Sequence, residues 1–209
     1  MSSKPHRLGM GSILAQVAAK RCDVSGSMSL VPGRPDAPVA VVPYSKVWPV
    51  LFEQERVALQ AAVGNVARSI EHIGSTAVPG LSAKPTIDIL LVVDSAEEFF
   101  KRLPRVEALG YDYRAHNTVV GSETHLFFRK VSNGNRTHYL HVLRSDSPEI
   151  DDYRLFRDAL RDDPALRQEY ERLKLVLAAQ HAADRNRYDT EKASWADGVV
   201  SSLRERRGE

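Results

Sequence analysis

The sequence predicts one α/β domain, and three observations carry that prediction. Thr86 to Val93 is an almost uninterrupted apolar run of strand length, as expected for a central strand covered on both faces. Ser69 to Ile73, Thr124 to Val131 and Thr137 to Leu143 supply further strands, the last two joined across a polar turn at Gly134. Beyond them the chain carries three apolar stripes at helical spacing.

The chain of 209 residues is long enough for one sizeable core. Residues 1–38 hold Gly9, Gly11, Gly26, Gly33, Pro32, Pro35 and Pro38 with little apolar periodicity, and they read as a flexible N-terminal leader. The domain itself is expected over residues 39–205. Val39 to Val42, closed by Pro43, reads as an edge strand. Ser45 can cap a helix in which Val47, Leu51, Glu55, Ala58, Leu59, Ala62 and Val63 are mostly apolar at helical spacing and which stops at Gly64. Ser95 can cap a second helix reaching Ala108, closed by Gly110. The C-terminal stripes are Tyr153, Phe156 and Leu160, then Leu166, Tyr170, Leu173 and Leu177, then Trp195, Val199 and Leu203.

Composition narrows the function. With 29 basic and 27 acidic residues the formal net charge is +2, which predicts no general attraction to nucleic acid. Five basic and two acidic residues lie within 1–38, so the remainder is close to neutral. The single cysteine, Cys22, allows no intrachain disulfide and fits a cytoplasmic location. No apolar run approaches the ~20 residues needed to span a bilayer, so no membrane role is expected.

The chemistry is expected in HIGSTAVPGLSAKPTIDILLVV. A strand enters the small-residue turn Gly74-Ser75-Thr76, where backbone amides can approach an anion closely. Asp88, thirteen residues after Ser75, lies inside the strongest strand. A carboxylate there costs free energy unless it is paired or holds a metal. Two readings of Asp88 follow: a metal ligand facing phosphates, or one half of a structural ion pair. Lys84, before Pro85, is either a phosphate contact or a solvated loop lysine. Of Glu71 and His72, adjacent on a strand, only one can face the site. His141 shares a strand face with Thr137 and Tyr139, and His138 points the other way. Arg157 and Arg161 share a helical face, with pairing to Asp158 or Asp162 in solvent as the simpler reading for Arg161.

Four stretches resemble the GrpB family, a branch of the minimal nucleotidyltransferase superfamily: VPYSKVWPVLFEQE, IEHIGSTAVPGLSAKPTIDILLVV, THYLHV, and FRDALRDDPALRQEYERLK continuing to RYDTEK. They span about residues 40–200 in the family's order. The resemblance implies a mixed β-sheet flanked by helices, an α+β arrangement with a helical C-terminal region. It places Gly74, Ser75 and Thr76 at a nucleotide triphosphate, Asp88 at a divalent metal (Mg²⁺ or Mn²⁺) as the catalytic carboxylate, and the Tyr188–Lys192 pair with Lys192 as a cationic phosphate contact. The superfamily's second strand carboxylate is replaced by Leu90. A third acidic position is taken by His141, which shifts metal preference toward ions that accept imidazole.

The leading expectation is therefore a nucleotide-dependent transferase that uses ATP or another NTP and a metal held by Asp88 and His141. Its acceptor would be a small molecule. The alternative is a catalytically degenerate member that binds a nucleotide or a coenzyme A-like ligand, since relatives occur fused to dephospho-coenzyme A kinase. A third reading gives Asp88 and the histidines a hydrolytic role.

Overall fold

A computed structural model of the chain describes residues 39–114 and 125–208. The leader at 1–38 lies outside the described residues, as does Thr124, the first residue of one expected strand.

The fold is a mixed α+β arrangement around one five-stranded sheet. The strands are β1 (Ala67–Ile73), β2 (Ile87–Val93), β3 (Tyr111–Tyr113), β4 (His125–Ser132) and β5 (Asn135–Arg144). Their order across the sheet is β1-β2-β5-β4-β3. Only β2 and β5 run parallel; β1–β2, β4–β5 and β3–β4 are antiparallel. The helices are α1 (Val47–Val63), α2 (Ala96–Phe100), α3 (Leu103–Ala108), α4 (Glu149–Asp162), α5 (Pro164–Gln180) and α6 (Arg185–Arg207).

Alternation along β2 explains why its sequence is apolar throughout. Ile87, Ile89, Leu91 and Val93 enter the larger core, with Leu59 and Val63 of α1 and Phe99, Leu103 and Val106 of α2 and α3. Leu90 and Val92 enter a second core with Ile73, Leu143 and Ile150 of α4. Burying each such side chain stabilises the fold by about 1.5–3 kcal/mol. Asp88 shares the second face but lies one step before its apolar part. The helices α4, α5 and α6 then pack on one another, through Leu160, Tyr170, Phe156, Leu173 and Trp195. None of the described helices is long and apolar enough to cross a membrane.

Two local expectations change, and one strand is added. Val39 to Val42 is not a strand: only Val42 pairs, in one isolated bridge with Ala83. Val39 instead packs on Leu177 and Tyr188. The helix expected from Ser95 to Ala108 is two short helices. Ser95 does cap the first, accepting from the Glu98 amide at 3.3 Å, but Pro104 offers no amide and a second helix starts at Leu103. The three-residue strand β3 has no clear signature in the sequence.

The β4–β5 hairpin turns on Asn133 and Gly134, at φ 50° and 76°. Two successive positive φ values are the signature of a tight turn whose twist suits a hairpin. Gly134→Ala is expected to destabilise the chain by about 1 kcal/mol. Thermal melting should show a loss of a few degrees, with the Gly74–Asp88 region unaltered.

Candidate functional site

β1 delivers the chain to Gly74, which adopts φ 69° and ψ −172°, and a single 3₁₀ turn follows over Ser75–Ala77. The antiparallel register sets Ile73 opposite Asp88. A Cβ built on Gly74 would stand 2.9 Å from both Cβ and Cγ of Asp88 and would collide with its Oδ2. Glycine is thus required twice, by its φ and by the carboxylate packed against it. The amides of Ala77 and Val78 return to the carbonyls of Gly74 and Ser75, each at 3.2 Å. Those of Ser75 and Thr76 have no backbone acceptor among the described residues. They are the donors an anion would meet.

The Thr76 hydroxyl is engaged within the fold. Its Oγ1 donates to the Thr86 carbonyl at 3.2 Å and lies 3.0 Å from His72 Nε2. Thr76 is 1% exposed, and its hydroxyl is spent closing the turn. Only its amide remains as a candidate donor.

Asp88 has no hydrogen-bond partner for its carboxylate among the described residues. Burial pushes its pKa up to about 6, against the pull of Lys192 and Lys84. Lys192 is held above the ordinary lysine range: burial opposes its charge, but Tyr170, Asp189, Tyr188 and Asp88 outweigh it. Lys84 is not a solvated loop lysine. Its Nζ bonds Asp189 at 2.6 Å and lies 4.8 Å from the centre of the Tyr188 ring. Burial and Lys192 bring it down to about 8, despite Asp189. Asp189 also stands 3.8 Å from Lys192, so one carboxylate links two lysines beside a second carboxylate. A third lysine, Lys174, is 1% exposed and donates to the Ser82 carbonyl beside the Tyr170 ring. Burial and Lys192 push it down to about 7. Two lysines, Lys192 and Lys84, and a second carboxylate, Asp189, therefore act on Asp88.

The parallel register sets Asp88 beside Tyr139 and Leu90 beside His141, so all four share one face. Asp88 and His141 are thus diagonal neighbours on adjacent strands. His141 is backed by a chain of polar groups. His125 Nδ1 lies 2.7 Å from Glu149 Oε2, and His125 Nε2 lies 3.1 Å from His141 Nδ1. The Tyr153 hydroxyl is 3.3 Å from the same Nδ1. Burial lowers the His125 pKa despite Glu149, and neutral His125 must donate from Nδ1 to the carboxylate. Its Nε2 then accepts, and His141 must donate from Nδ1. That tautomer leaves His141 Nε2 with its lone pair. Burial, His125 and Lys192 push His141 down to about 3, so it is neutral at pH 7.

His138 faces the opposite side, 3.9 Å from Glu55. Of the pair before the turn, Glu71 is on the Asp88 face and His72 is not. Glu71 is nevertheless occupied, bonded by Arg154 at 2.6 Å and by Arg157 at 3.2 Å. Burial raises its pKa, but Arg154, Ser69 and Arg157 more than reverse that. His72 stacks on Phe52 at 4.7 Å. Arg161 meets Asp158, as expected, but also grips the Ala77 carbonyl at 2.9 and 3.1 Å. Arg157 also donates to the His72 carbonyl at 3.3 Å. One face of α4 therefore holds the turn in place.

The structure thus brings Gly74, Ser75, Asp88, Lys84, Lys192 and His141 around one region. It adds Asp189, Tyr170, His125, Glu149 and Tyr153, which local sequence patterns did not assign to the site. Asp189 carried a signal, lying between Tyr188 and Lys192; the His125–Glu149 link, across 24 residues, carried none. Gly74→Ala is expected to disrupt this region whichever side chain yields. Its combined steric and φ penalty should lower the melting temperature by several degrees, more than Gly80→Ala, where a Cβ meets nothing within 4 Å despite φ 80°.

Comparison with known proteins agrees with this architecture. The chain is 36% identical over 161 residues to the UPF0157 protein YqkA of Bacillus subtilis, covering 77% of this chain but 46% of that protein. It is 30% identical over 185 residues to a protein named dephospho-CoA kinase from Mycobacterium leprae, of which it spans 45%. Among solved structures, the conserved protein GrpB from Enterococcus faecalis superposes with a TM-score of 0.73 at 30% identity, covering 81% of this chain and all of that one. The family described as GrpB protein matches residues 38–202, and this chain belongs to it.

Proposed function

We propose that this chain is a nucleotide-dependent transferase, binding the phosphates of ATP or another nucleoside triphosphate against the Gly74-Ser75-Thr76 turn. The observation that carries this reading is the Asp88 carboxylate, pressed onto Gly74, without a hydrogen-bond partner among the described residues, and accompanied by Lys192 and Lys84. A site of this kind retains a partly buried carboxylate that a further cation would complement.

The donor set fits a divalent metal with restraint. Among the described residues, no group of three or more His, Cys, Asp or Glu side chains is placed to hold one. Asp88 offers oxygen and His141 offers Nε2, so phosphate oxygens and water would complete the shell. A bound metal would withdraw charge from the phosphate oxygens. One carboxylate and one imidazole favour Mn²⁺ or another imidazole-tolerant ion over Mg²⁺.

The chain's own groups do the rest. The Ser75 and Thr76 amides and Lys192 orient the phosphates, and Lys84 adds charge through its link to Asp189. A hydroxyl, amine or carboxylate of a small-molecule acceptor would attack the α-phosphorus as the bond to pyrophosphate breaks, a hydroxyl or amine acceptor giving up its proton to water. The leaving charge is met by Lys192 and the turn amides. Leu90, 0% exposed and packed in the apolar core, stands where a second carboxylate would hold metal. That supports slow turnover, and it favours a second reading in which the site binds nucleotide without turning it over.

Calorimetry with ATP and each metal, paired with a turnover assay, separates the readings. Binding should require a divalent ion and be tighter with Mn²⁺ than with Mg²⁺. Asp88→Asn should weaken metal-dependent binding by about tenfold or more. His141→Ala should erase the metal preference, and His138→Ala, on the other face, should keep it. Rapid Mg²⁺-dependent transfer indifferent to His141→Ala would contradict this account of the site.

A further inference from the structure

The face of the sheet that carries Asp88 continues across the strands beyond it. Asp88, Tyr139, Arg129 and Asp112 stand opposite one another in turn on β2, β5, β4 and β3, forming one row. With strands 4.7–4.9 Å apart, the Arg129 backbone lies about 10 Å from that of Asp88. Phe127, next on the same face of β4, has its ring 5.2 Å from that of Tyr139 and 5.1 Å from that of His141. An aromatic floor therefore joins the row to the candidate site.

Charge on this floor is unbalanced. The Arg129 Nε is buried and has no acceptor among the described residues. Arg136 lies beside it, its Nη1 donating to the Tyr139 hydroxyl at 3.3 Å. Arg114 closes the group from the end of β3, paired with Asp112 at 3.1 Å. Burial, Arg114 and Arg136 together depress the Arg129 pKa, and Asp112 and Tyr139 only partly offset them. Among the described residues, three guanidinium groups thus stand beside one carboxylate, that of Asp112. A buried donor without an acceptor is costly, more so when it is charged, and a bound oxyanion is one group that would satisfy it.

We propose that Arg129 and Arg136, set on the Phe127–Tyr139 floor one step beyond Asp88, form a subsite for the carboxylate or phosphate of a small-molecule acceptor. This deepens the proposed function, on which it rests for the identity of the occupant as an acceptor. The planar guanidinium fork suits an oxyanion of either kind. The aromatic floor suits an adjoining apolar or planar body. An acceptor held there by its oxyanion would extend toward Asp88, where the proposed function sets the nucleotide's phosphates. The small net charge of the chain favours such a molecule over a polymer of phosphates.

The test follows the Arg129 Nε–H resonance by nitrogen-edited NMR during titration with inorganic phosphate, with acetate, and with chloride at matched ionic strength. Phosphate or acetate should shift it saturably, and chloride should not. The anion that acts more strongly tells phosphate from carboxylate. Arg136→Gln should weaken the response by about fivefold or more, the loss of one charge-assisted bond. Arg129→Gln should melt no lower than the parent chain, since it relieves a crowded cation. Arg129→Lys should keep the fold and lose most of the affinity, because it keeps the charge but not the fork. Metal-dependent ATP affinity, read by calorimetry, should be unchanged in Arg129→Gln. No response beyond that of chloride would overturn the subsite. So would a parallel loss of ATP affinity, which would assign the arginines to the nucleotide. A saturable response in a chain that binds no ATP would leave the oxyanion site standing and remove the nucleotide reading.

Discussion

The contact between Gly74 and the Asp88 carboxylate is the constraint on which the site depends. It fixes a backbone turn and a charged side chain against each other, with no room for a methyl group between them. Because the turn must hold that position, neighbouring elements are recruited to it. Thr76 ties it to the Thr86 carbonyl from inside, and Arg161 and Arg157 tie it to α4 from outside. Because the charge must stay there, Lys192 and Lys84 are held nearby and Asp189 is set between them. The Asp88 pKa near 6 reflects cations that do not fully offset burial. The site is organised around an anionic group that the fold leaves incompletely neutralised.

The histidine pair shows a second kind of organisation. Burial, His125 and Lys192 keep His141 neutral, so it does not take up a proton near pH 7. Its value lies in which nitrogen bears the proton. Glu149, through His125, decides that from the far side of the ring. An imidazole fixed in this way is a lone-pair donor and a poor proton acceptor at neutral pH. This is why the proposed role is that of a ligand.

Much of this arrangement was legible in the chain itself. Ile87–Val93 announced a strand buried on both faces, and Asp88 stood out as the one charge within it. The Asn133-Gly134 turn and the three C-terminal helices followed from local chemistry and periodicity. What escaped detection depends on contacts distant in sequence. Val39 to Val42 has strand composition, but only Val42 finds a pairing partner, and Val39 is drawn onto Leu177 and Tyr188. Lys84 was open to reading as a loop lysine because nothing local reveals Asp189, more than a hundred positions away. Thr76 looked like a ligand because its neighbours are ligand candidates. Only the fold shows that Thr86 and His72 already occupy its hydroxyl. Arg129 could not be singled out, since a lone strand arginine is ordinary until the register sets it in a row with Asp88.

The claim that Asp88 is a charge held without full compensation is tested by denaturation of the ligand-free chain across pH. Its folded pKa, about 6, lies above the ordinary carboxyl value of 3.8, so its contribution to stability is full below about pH 4 and lost as pH rises through 6. A pKa raised that far puts up to about 3 kcal/mol of stability at stake between those pH values. Asp88→Asn should therefore be nearest the parent below pH 4, exceed its denaturation midpoint increasingly from pH 4 to 6, and hold a constant advantage above that. A variant less stable than the parent at every pH, by several kcal/mol at neutrality, would mean that Asp88 is the anchor of a structural ion pair and would contradict the account.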